Sequence, residues 1–192
     1  MILRFLAVTV IASLLSACSM FQTAPKPPAP KSVQAITQWD TEGRVGIRTP
    51  NDAVSGNFNW HESPTEFSLN IYGPFGQGAT KLSGVNGKKV TLAYEDKTIV
   101  GKDAASLLKQ KLGWEFPVNQ VTYWMRGLPY PYTPYQSKRN PKTHLLEQLQ
   151  QDGWKITYKK FSKVEGLQLP QTMQVARPPY RVNLIITDWT VQ

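Results

Sequence analysis

Residues suited to covalent or metal chemistry are almost missing from this sequence. It has one cysteine, Cys18, and two histidines, His61 and His144. One cysteine cannot form a disulfide within the chain, and two separated histidines without a cysteine pair are a poor basis for a transition-metal site. We therefore expect neither a disulfide nor a metal, and no motif implies a cofactor.

Catalytic motifs are missing as well. There is no Gly-x-Ser-x-Gly, no His-Glu-x-x-His and no Walker loop. The glycine-rich segment Gly73–Gly78 has the wrong spacing for dinucleotide binding and lies between segments with a strand pattern. An Asp-His-Ser arrangement could still assemble in space, but the sequence argues against an enzyme.

Long apolar runs are absent except for one near the start, residues 5–15. This run follows Arg4 and is shorter than the roughly 20 residues that span a bilayer. A basic start, an apolar core and small residues before a cut are typical of a secretory signal peptide. The run closes on Leu15-Ser16-Ala17-Cys18, which resembles a bacterial lipobox and implies cleavage before Cys18 and acylation of that cysteine. The alternatives are an ordinary signal peptide followed by a free thiol, or a short membrane anchor.

This interpretation divides the chain into three parts. Residues 1–17 are the predicted signal peptide. Residues 18–35 are a lipid-anchored N-terminus with a tether whose prolines favour an extended polyproline II conformation. Residues 36–192 are predicted to form one domain. In lipoproteins of the enterobacterial type, serine after the acylated cysteine permits export to the outer membrane, so Ser19 indicates the periplasmic leaflet of that membrane.

Acidic residues are few, 13 against 22 Lys and Arg, and the formal net charge is +9. In a soluble protein this charge would suggest nucleic acid. An exported lipoprotein has little access to nucleic acid, so we expect no such partner. The remaining interpretations are an anionic membrane surface, an acidic protein partner, or a well-solvated surface with no partner.

Alternation of apolar and polar residues dominates the rest of the chain. It occurs in two series, one ending near residue 95 and one beginning near residue 145. Asn86-Gly87 and Asp152-Gly153 are typical hairpin turns within these series. The pattern predicts consecutive antiparallel strands with one apolar face.

Helical spacing interrupts the two series of strands. A first helix is predicted from Asp103, a capping residue, to Gly113, and a second from Pro117 to about Arg126. We therefore predict a mainly β fold of the α+β type, in which a curved antiparallel sheet forms an incomplete, half-open barrel and the inserted helices form a lid. Such a shape can enclose a cavity, and the pattern leaves open whether side chains fill it.

The segment Gly73-Pro74-Phe75-Gly76 places one large apolar residue among glycines between two strands. It has two interpretations: a turn whose phenylalanine folds back onto the core, or an exposed tip that touches a membrane. The pattern alone favours the first, because large apolar residues are usually buried.

Motifs along the whole predicted domain carry a family resemblance. They are Trp39-x-x-x-Gly43-Arg44-Val45-Gly46, Phe58-x-Trp60, Tyr72-Gly73-Pro74-Phe75-Gly76-x-Gly78, Leu82-x-Gly84, Leu107-Leu108, Trp124-x-x-Gly127-Leu128-Pro129, Gly153-Trp154-x-x-x-Tyr158, Leu169-Pro170 and Ile186-x-x-Trp189. In this order, and together with the lipobox, they resemble the LolB family of outer-membrane lipoprotein receptors.

The resemblance implies an apolar, acyl-chain-binding cavity. It implies transfer of acylated lipoproteins from the periplasmic carrier LolA into outer-membrane phospholipid, by a protein that we expect to be a monomer. It also implies that Phe75, with Gly73, Pro74 and Gly76, forms a membrane insertion loop, at a position where the family commonly has leucine. On this basis the cavity is assigned to Phe58, Trp60, Leu69, Ile71, Leu82, Leu92, Leu108, Trp124, Met125 and Ile186. The alternative is a scaffold lipoprotein that docks other envelope proteins without lipid transfer and whose aromatic residues simply form a core.

Overall fold

The computed structural model describes residues 28–86, 88–113 and 115–192, with Leu112 described by its backbone only. The predicted signal peptide, Cys18 with its predicted acylation, Gly87 and Trp114 lie outside the described residues. A single helical turn at Val33–Ala35 precedes the sheet. No helix in the described part of the chain is both long enough and apolar enough to cross a membrane.

Eleven antiparallel strands form one sheet. Its spatial order is β6-β5-β4-β3-β2-β1-β11-β10-β9-β8-β7. The first strand of the chain, β1, therefore pairs with the last, β11, in the middle of the sheet. The strands are β1 Trp39–Arg48, β2 Ala53–Glu62, β3 Glu66–Tyr72, β4 Thr80–Val85, β5 Val90–Tyr94, β6 Lys97–Gly101, β7 Tyr135–Arg139, β8 Leu146–Gln151, β9 Trp154–Val164, β10 Leu167–Arg177 and β11 Tyr180–Val191.

The sheet does not close, because β6 and β7 remain its two edges within the described part of the chain. This confirms the predicted mainly β, incomplete barrel. Alternate residues of the central strands face one side and are buried, as the pattern of β1 and β11 shows. The period-two apolar pattern therefore sets the inner face of the sheet.

Two helices interrupt the meander and pack over its inner face. Helix α1 is Ala104–Leu112 and contacts β5 and β6, whereas α2 is Val118–Met125 and contacts α1 and β10. The Asp103 carboxylate accepts a hydrogen bond from the Ser106 amide at 2.8 Å, and Gly113 ends α1 with a φ of 74°. Both predicted helices are confirmed. They could be predicted from sequence because the residues that cap and end a helix act locally.

The two ends of the half-barrel carry different connections between strands. The loop end carries the β1–β2, β3–β4 and β10–β11 connections. The tether end carries the start of β1, the β2–β3 connection and the β4–β5 connection. At the tether end the rings of Trp60 and Trp189 pack against Trp39, with centroids 5.6 and 5.4 Å away. This aromatic cluster closes the core where the N-terminal segment enters the fold.

Candidate functional site: an apolar cavity and an exposed loop

An apolar cavity lies between the inner face of the sheet and the lid helices. Its volume is about 50 Å³, and no polar atom lines it. It is smaller than the roughly 150 Å³ engineered cavity that admits benzene. The lining residues are Val45, Ile47, Phe58, Trp60, Leu69, Ile71, Leu108, Phe116, Val121, Val182 and Leu184. The void is suited to hydrocarbon, although at rest it is too small for an acyl chain.

Half of the ten residues assigned to the cavity from sequence line it. These are Phe58, Trp60, Leu69, Ile71 and Leu108. The other five are buried in the surrounding core and do not line the void: Leu82, Leu92, Trp124, Met125 and Ile186. Whether any of the ten binds an acyl chain stays a prediction.

Six lining residues were not among those assigned from sequence. They are Val45, Ile47, Phe116, Val121, Val182 and Leu184. Five of them lie on β1, α2 or β11, each within a strand or helix that the sequence pattern predicts. Phe116 lies in the connection between the two helices, where no periodicity marks it. The alternation of apolar residues identifies the inner face of the sheet, but it does not show which residues of that face border the cavity.

Helix α2 is fixed to the sheet by hydrogen bonds from a buried glutamine. The side-chain oxygen of Gln151 accepts from the Trp124 indole nitrogen at 2.9 Å and from the Tyr130 amide at 2.8 Å. The amide nitrogen of Gln151 donates to the carbonyl oxygens of Tyr130 and Thr133 at 2.7 and 2.9 Å. One side chain on β8 thus holds both the lid helix and the loop that follows it. Trp124 is therefore fixed in place by a polar contact as well as by packing.

A tyrosine from β9 makes a second polar contact to α2. The Tyr158 hydroxyl donates to the Trp124 carbonyl oxygen at 2.9 Å, and burial raises the pKa of Tyr158. The hydroxyl therefore remains a donor across the physiological range. Together with Gln151, it leaves α2 more firmly attached to the sheet than an apolar contact alone would.

The connection from β3 to β4 projects Phe75 fully into solvent at the loop end. Phe75 has a φ of 58° and a ψ of 23°, a left-handed conformation that costs energy for a residue with a side chain. The next residue, Gly76, also has positive φ, 78°. Backbone strain and complete exposure at one phenylalanine do not serve packing, so the interpretation that Phe75 folds back onto the core is wrong.

A groove of about 660 Å³ with both polar and apolar lining residues lies beside Trp39 at the tether end. Glu62 and Arg126 are among the residues that line it. Burial raises the pKa of Glu62 to about 7, and the neighbouring Trp60, Arg126 and Asn86 only partly offset that effect. Arg126 donates to the Ile36 carbonyl oxygen at 2.9 Å and so connects the lid to the start of the domain.

Metal-binding side chains do not accompany these features in the part of the chain that the structure describes. In the described ranges, no three His, Cys, Asp or Glu side chains are grouped so that they could hold a metal ion. His61 contacts Asp40, with 2.7 Å between Nδ1 and Oδ1, on the outer face of the sheet away from the cavity. The apolar void and the exposed loop are therefore the candidate site.

The open antiparallel sheet with its two helices has a counterpart among solved structures. A LolA superfamily protein from Nitrosomonas europaea aligns with a TM-score of 0.51 at 7% sequence identity, covering 81% of this chain and 86% of that one. At such low identity the likeness concerns the fold alone.

Sequence comparison specifies the family within that fold. The family model described as outer membrane lipoprotein LolB matches residues 37–189. The chain is 57% identical to the outer-membrane lipoprotein LolB of Marinomonas sp. over 189 residues, 98% of each protein. It is 30% identical to that of Cellvibrio japonicus over 98% of this chain and 96% of the relative. The chain belongs to the LolB family of outer-membrane lipoproteins, a lipoprotein-trafficking family rather than a family of enzymes.

Proposed function

We propose that this protein accepts acylated lipoproteins from LolA into the apolar cavity and inserts them into the outer membrane, where acylated Cys18 anchors it in the periplasmic leaflet. The observation that carries the proposal is an entirely apolar void beneath lid helices, combined with a strained, fully exposed phenylalanine. A cavity alone could be a packing fault, and a loop alone could be a turn. Their combination matches the two steps of lipid transfer.

The energetics of acyl chains favour transfer between docked proteins. Exposing a chain to water costs about 0.8 kcal/mol per CH₂, so a chain of about sixteen carbons costs more than about 10 kcal/mol. Release into the periplasm is therefore negligible. No nucleotide-binding motif is present in the sequence, so transfer must proceed towards the higher affinity at each step, from carrier to cavity and from cavity to bilayer.

Displacement of an apolar fluorescent dye by an acylated lipoprotein tests cavity binding. Ile71 lines the cavity and is only half-buried, so a lysine there can reach solvent without unfolding the domain. We expect Ile71→Lys to weaken dye and lipoprotein binding by tenfold or more, because a charge beside hydrocarbon is costly.

The matched control is Ile185→Lys, the same change on the outward face of β11, where the side chain is 46% exposed. It should leave binding unchanged. Equal binding by wild type and Ile71→Lys, with both proteins folded, would support a scaffold that docks envelope proteins without taking up lipid. We expect the protein to act as a monomer, which sedimentation of the same samples measures.

A further inference from the structure

Charges are segregated by sign along the outer face of the central strands. On β1 the outward side chains of Asp40 and Glu42 lie towards the tether end, whereas Arg44 and Arg48 lie towards the loop end. All four are exposed. A single strand therefore presents an acidic half and a basic half, and the basic half lies at the end that carries Phe75.

The neighbouring strand repeats the segregation. In the register of β1 with β11, Arg48 lies directly opposite Arg181, and Glu42 lies directly opposite Asp188. Like charges directly opposite each other on adjacent strands are destabilising. Two such pairs of opposite sign, one towards each end of the same strand pair, do not serve stability, so they point to recognition of something outside the fold.

The basic pair has no acidic partner among the described side chains. No ion pair is found for Arg48 or Arg181 there. The nearest acidic residue in sequence, Asp52, accepts a hydrogen bond from the Ala53 amide at 2.7 Å within the β1–β2 turn. Both guanidinium groups are exposed and available for a ligand.

Exposed apolar side chains accompany the basic residues at the loop end. Phe75 projects from the β3–β4 connection, and Val54, at the start of β2, is 54% exposed. Arginine binds phosphate oxygens through its planar fork of N–H donors. Exposed apolar side chains and arginines at the same end of the sheet match a phospholipid surface, with phosphates above and hydrocarbon below. An acidic protein would satisfy the arginines but not an isolated, fully exposed phenylalanine on a strained turn.

We propose that Arg44, Arg48 and Arg181 bind the phosphates of anionic phospholipids and turn the loop end towards the bilayer, while the acidic half of the same face is repelled. This inference rests on the proposed function, since it supplies the orientation that insertion through Phe75 requires. The anchor permits it: the fourteen residues 19–32 reach about 43 Å at about 3.1 Å each. That exceeds the length of β1, about 33 Å at about 3.3 Å per residue.

The test measures which end of the acylated protein faces the lipid. Protein carrying a fluorophore at Asn51→Cys, in the β1–β2 turn, is reconstituted into phosphatidylcholine vesicles with or without phosphatidylglycerol. A second sample carries the label at Thr65→Cys, at the tether end. Spin-labelled lipids quench labels close to the bilayer. We expect quenching at position 51 to exceed that at position 65, to increase with phosphatidylglycerol, and to fall at high salt.

Charge variants decide whether the arginines cause the orientation. Arg48→Gln/Arg181→Gln should weaken the response to phosphatidylglycerol roughly fivefold for each charge removed, and should leave the melting temperature unchanged or higher. Arg48→Lys/Arg181→Lys should keep most of the response. Lys89→Gln/Lys163→Gln removes the same charge at the tether end and should have no effect.

Three outcomes overturn the inference: unchanged quenching in the glutamine variant, an equal loss in the tether-end control, or loss of cargo acceptance from the carrier with lipid contact intact. The last would assign the arginines to a protein partner. Cargo acceptance and insertion are measured on the same samples. If wild type transfers cargo although the charge variants overturn the orientation, the orientation inference alone fails and the proposed function stands. If wild type transfers none, the proposed function fails.

Discussion

At the scale of single residues, Phe75 is the side chain whose position demands an explanation outside the fold. Transfer of a phenylalanine into an apolar phase contributes roughly 1.5–3 kcal/mol. That is too little to anchor the protein but enough to bias where a docked cavity meets the bilayer. A fully exposed side chain can also be changed without disturbing the core.

We predict that Phe75→Glu folds normally, accepts lipoprotein from LolA and fails to deliver it to liposomes. Phe75→Leu should deliver it nearly as well as wild type. Val100→Glu, an exposed apolar residue of β6 that lies opposite the uncharged Thr91 towards the tether end, serves as the control and should have no effect. Melting temperature, uptake and insertion are measured for each protein. Normal insertion by Phe75→Glu would show that the loop is only a turn between β3 and β4, with no role in insertion.

Glu62 is the residue whose charge state responds to pH. Its pKa rises from 4.5 to about 7 on folding, chiefly because of burial. Between these values the folded protein binds more protons at this site than the unfolded chain. The contribution of Glu62 to the free energy of unfolding therefore falls as the pH rises from about 4.5 to about 7, and is level outside that window.

We predict that Glu62→Gln loses less stability than wild type between pH 5 and pH 8. Urea unfolding at both pH values gives the comparison, and Glu66→Gln, the same change at an exposed position of β3, is the control. Parallel pH dependence in Glu62→Gln and wild type would show that Glu62 titrates normally in the folded protein.

At the scale of elements, the lid is held to the sheet by polar contacts that sequence does not reveal. Asp103, Gly113 and Pro117 predicted both helices, because caps and helix-starting prolines act within one turn of chain. Gln151 carries no such signal: it lies beside Gln150 in the same strand, and only register places one of them inside. Long-range register is a property of the assembled sheet.

The edge strands β6 and β7 escaped prediction for a related reason. All five residues of β7 are exposed, so apolar alternation cannot mark the strand. Only half of the assigned cavity residues line the void, because an apolar pattern shows which side chains point inward but not which of them border a gap. Leu82 and Ile186 share the inward pattern of Leu69 and Ile71, yet they pack against neighbours and do not line the void.

We predict that Gln151→Leu destabilises the domain by about 2–4 kcal/mol, because it leaves the buried Trp124 indole nitrogen and the Tyr130 backbone without partners. Gln150→Leu, the exposed neighbour, should change stability by less than about 0.5 kcal/mol. Urea unfolding measures both. Hydrogen exchange at residues 124–133 should quicken only in Gln151→Leu, and equal effects of the two variants would remove Gln151 from its proposed role in fixing the lid.

At the scale of the whole molecule, folding and attachment are separable. The cavity, the lid and the loop all lie within residues 36–192, whereas the proposed attachment lies at Cys18. We predict that Cys18→Ala abolishes acylation and releases the protein from the outer membrane. Fractionation of cells measures the release, and uptake of cargo in vitro should persist. Retention of the variant in the outer membrane would show that another segment holds it there.

Because the void has a volume of only about 50 Å³, cargo uptake would depend on how many molecules have an open lid. Under the proposed function, an acyl chain would enter only molecules in which the lid has separated from the sheet, and the apparent dissociation constant would equal the intrinsic one divided by the fraction of such molecules. Any substitution that loosens α2 raises the open fraction. Such variants should unfold more easily and yet capture cargo at lower concentrations, so that stability and apparent affinity change in opposite directions.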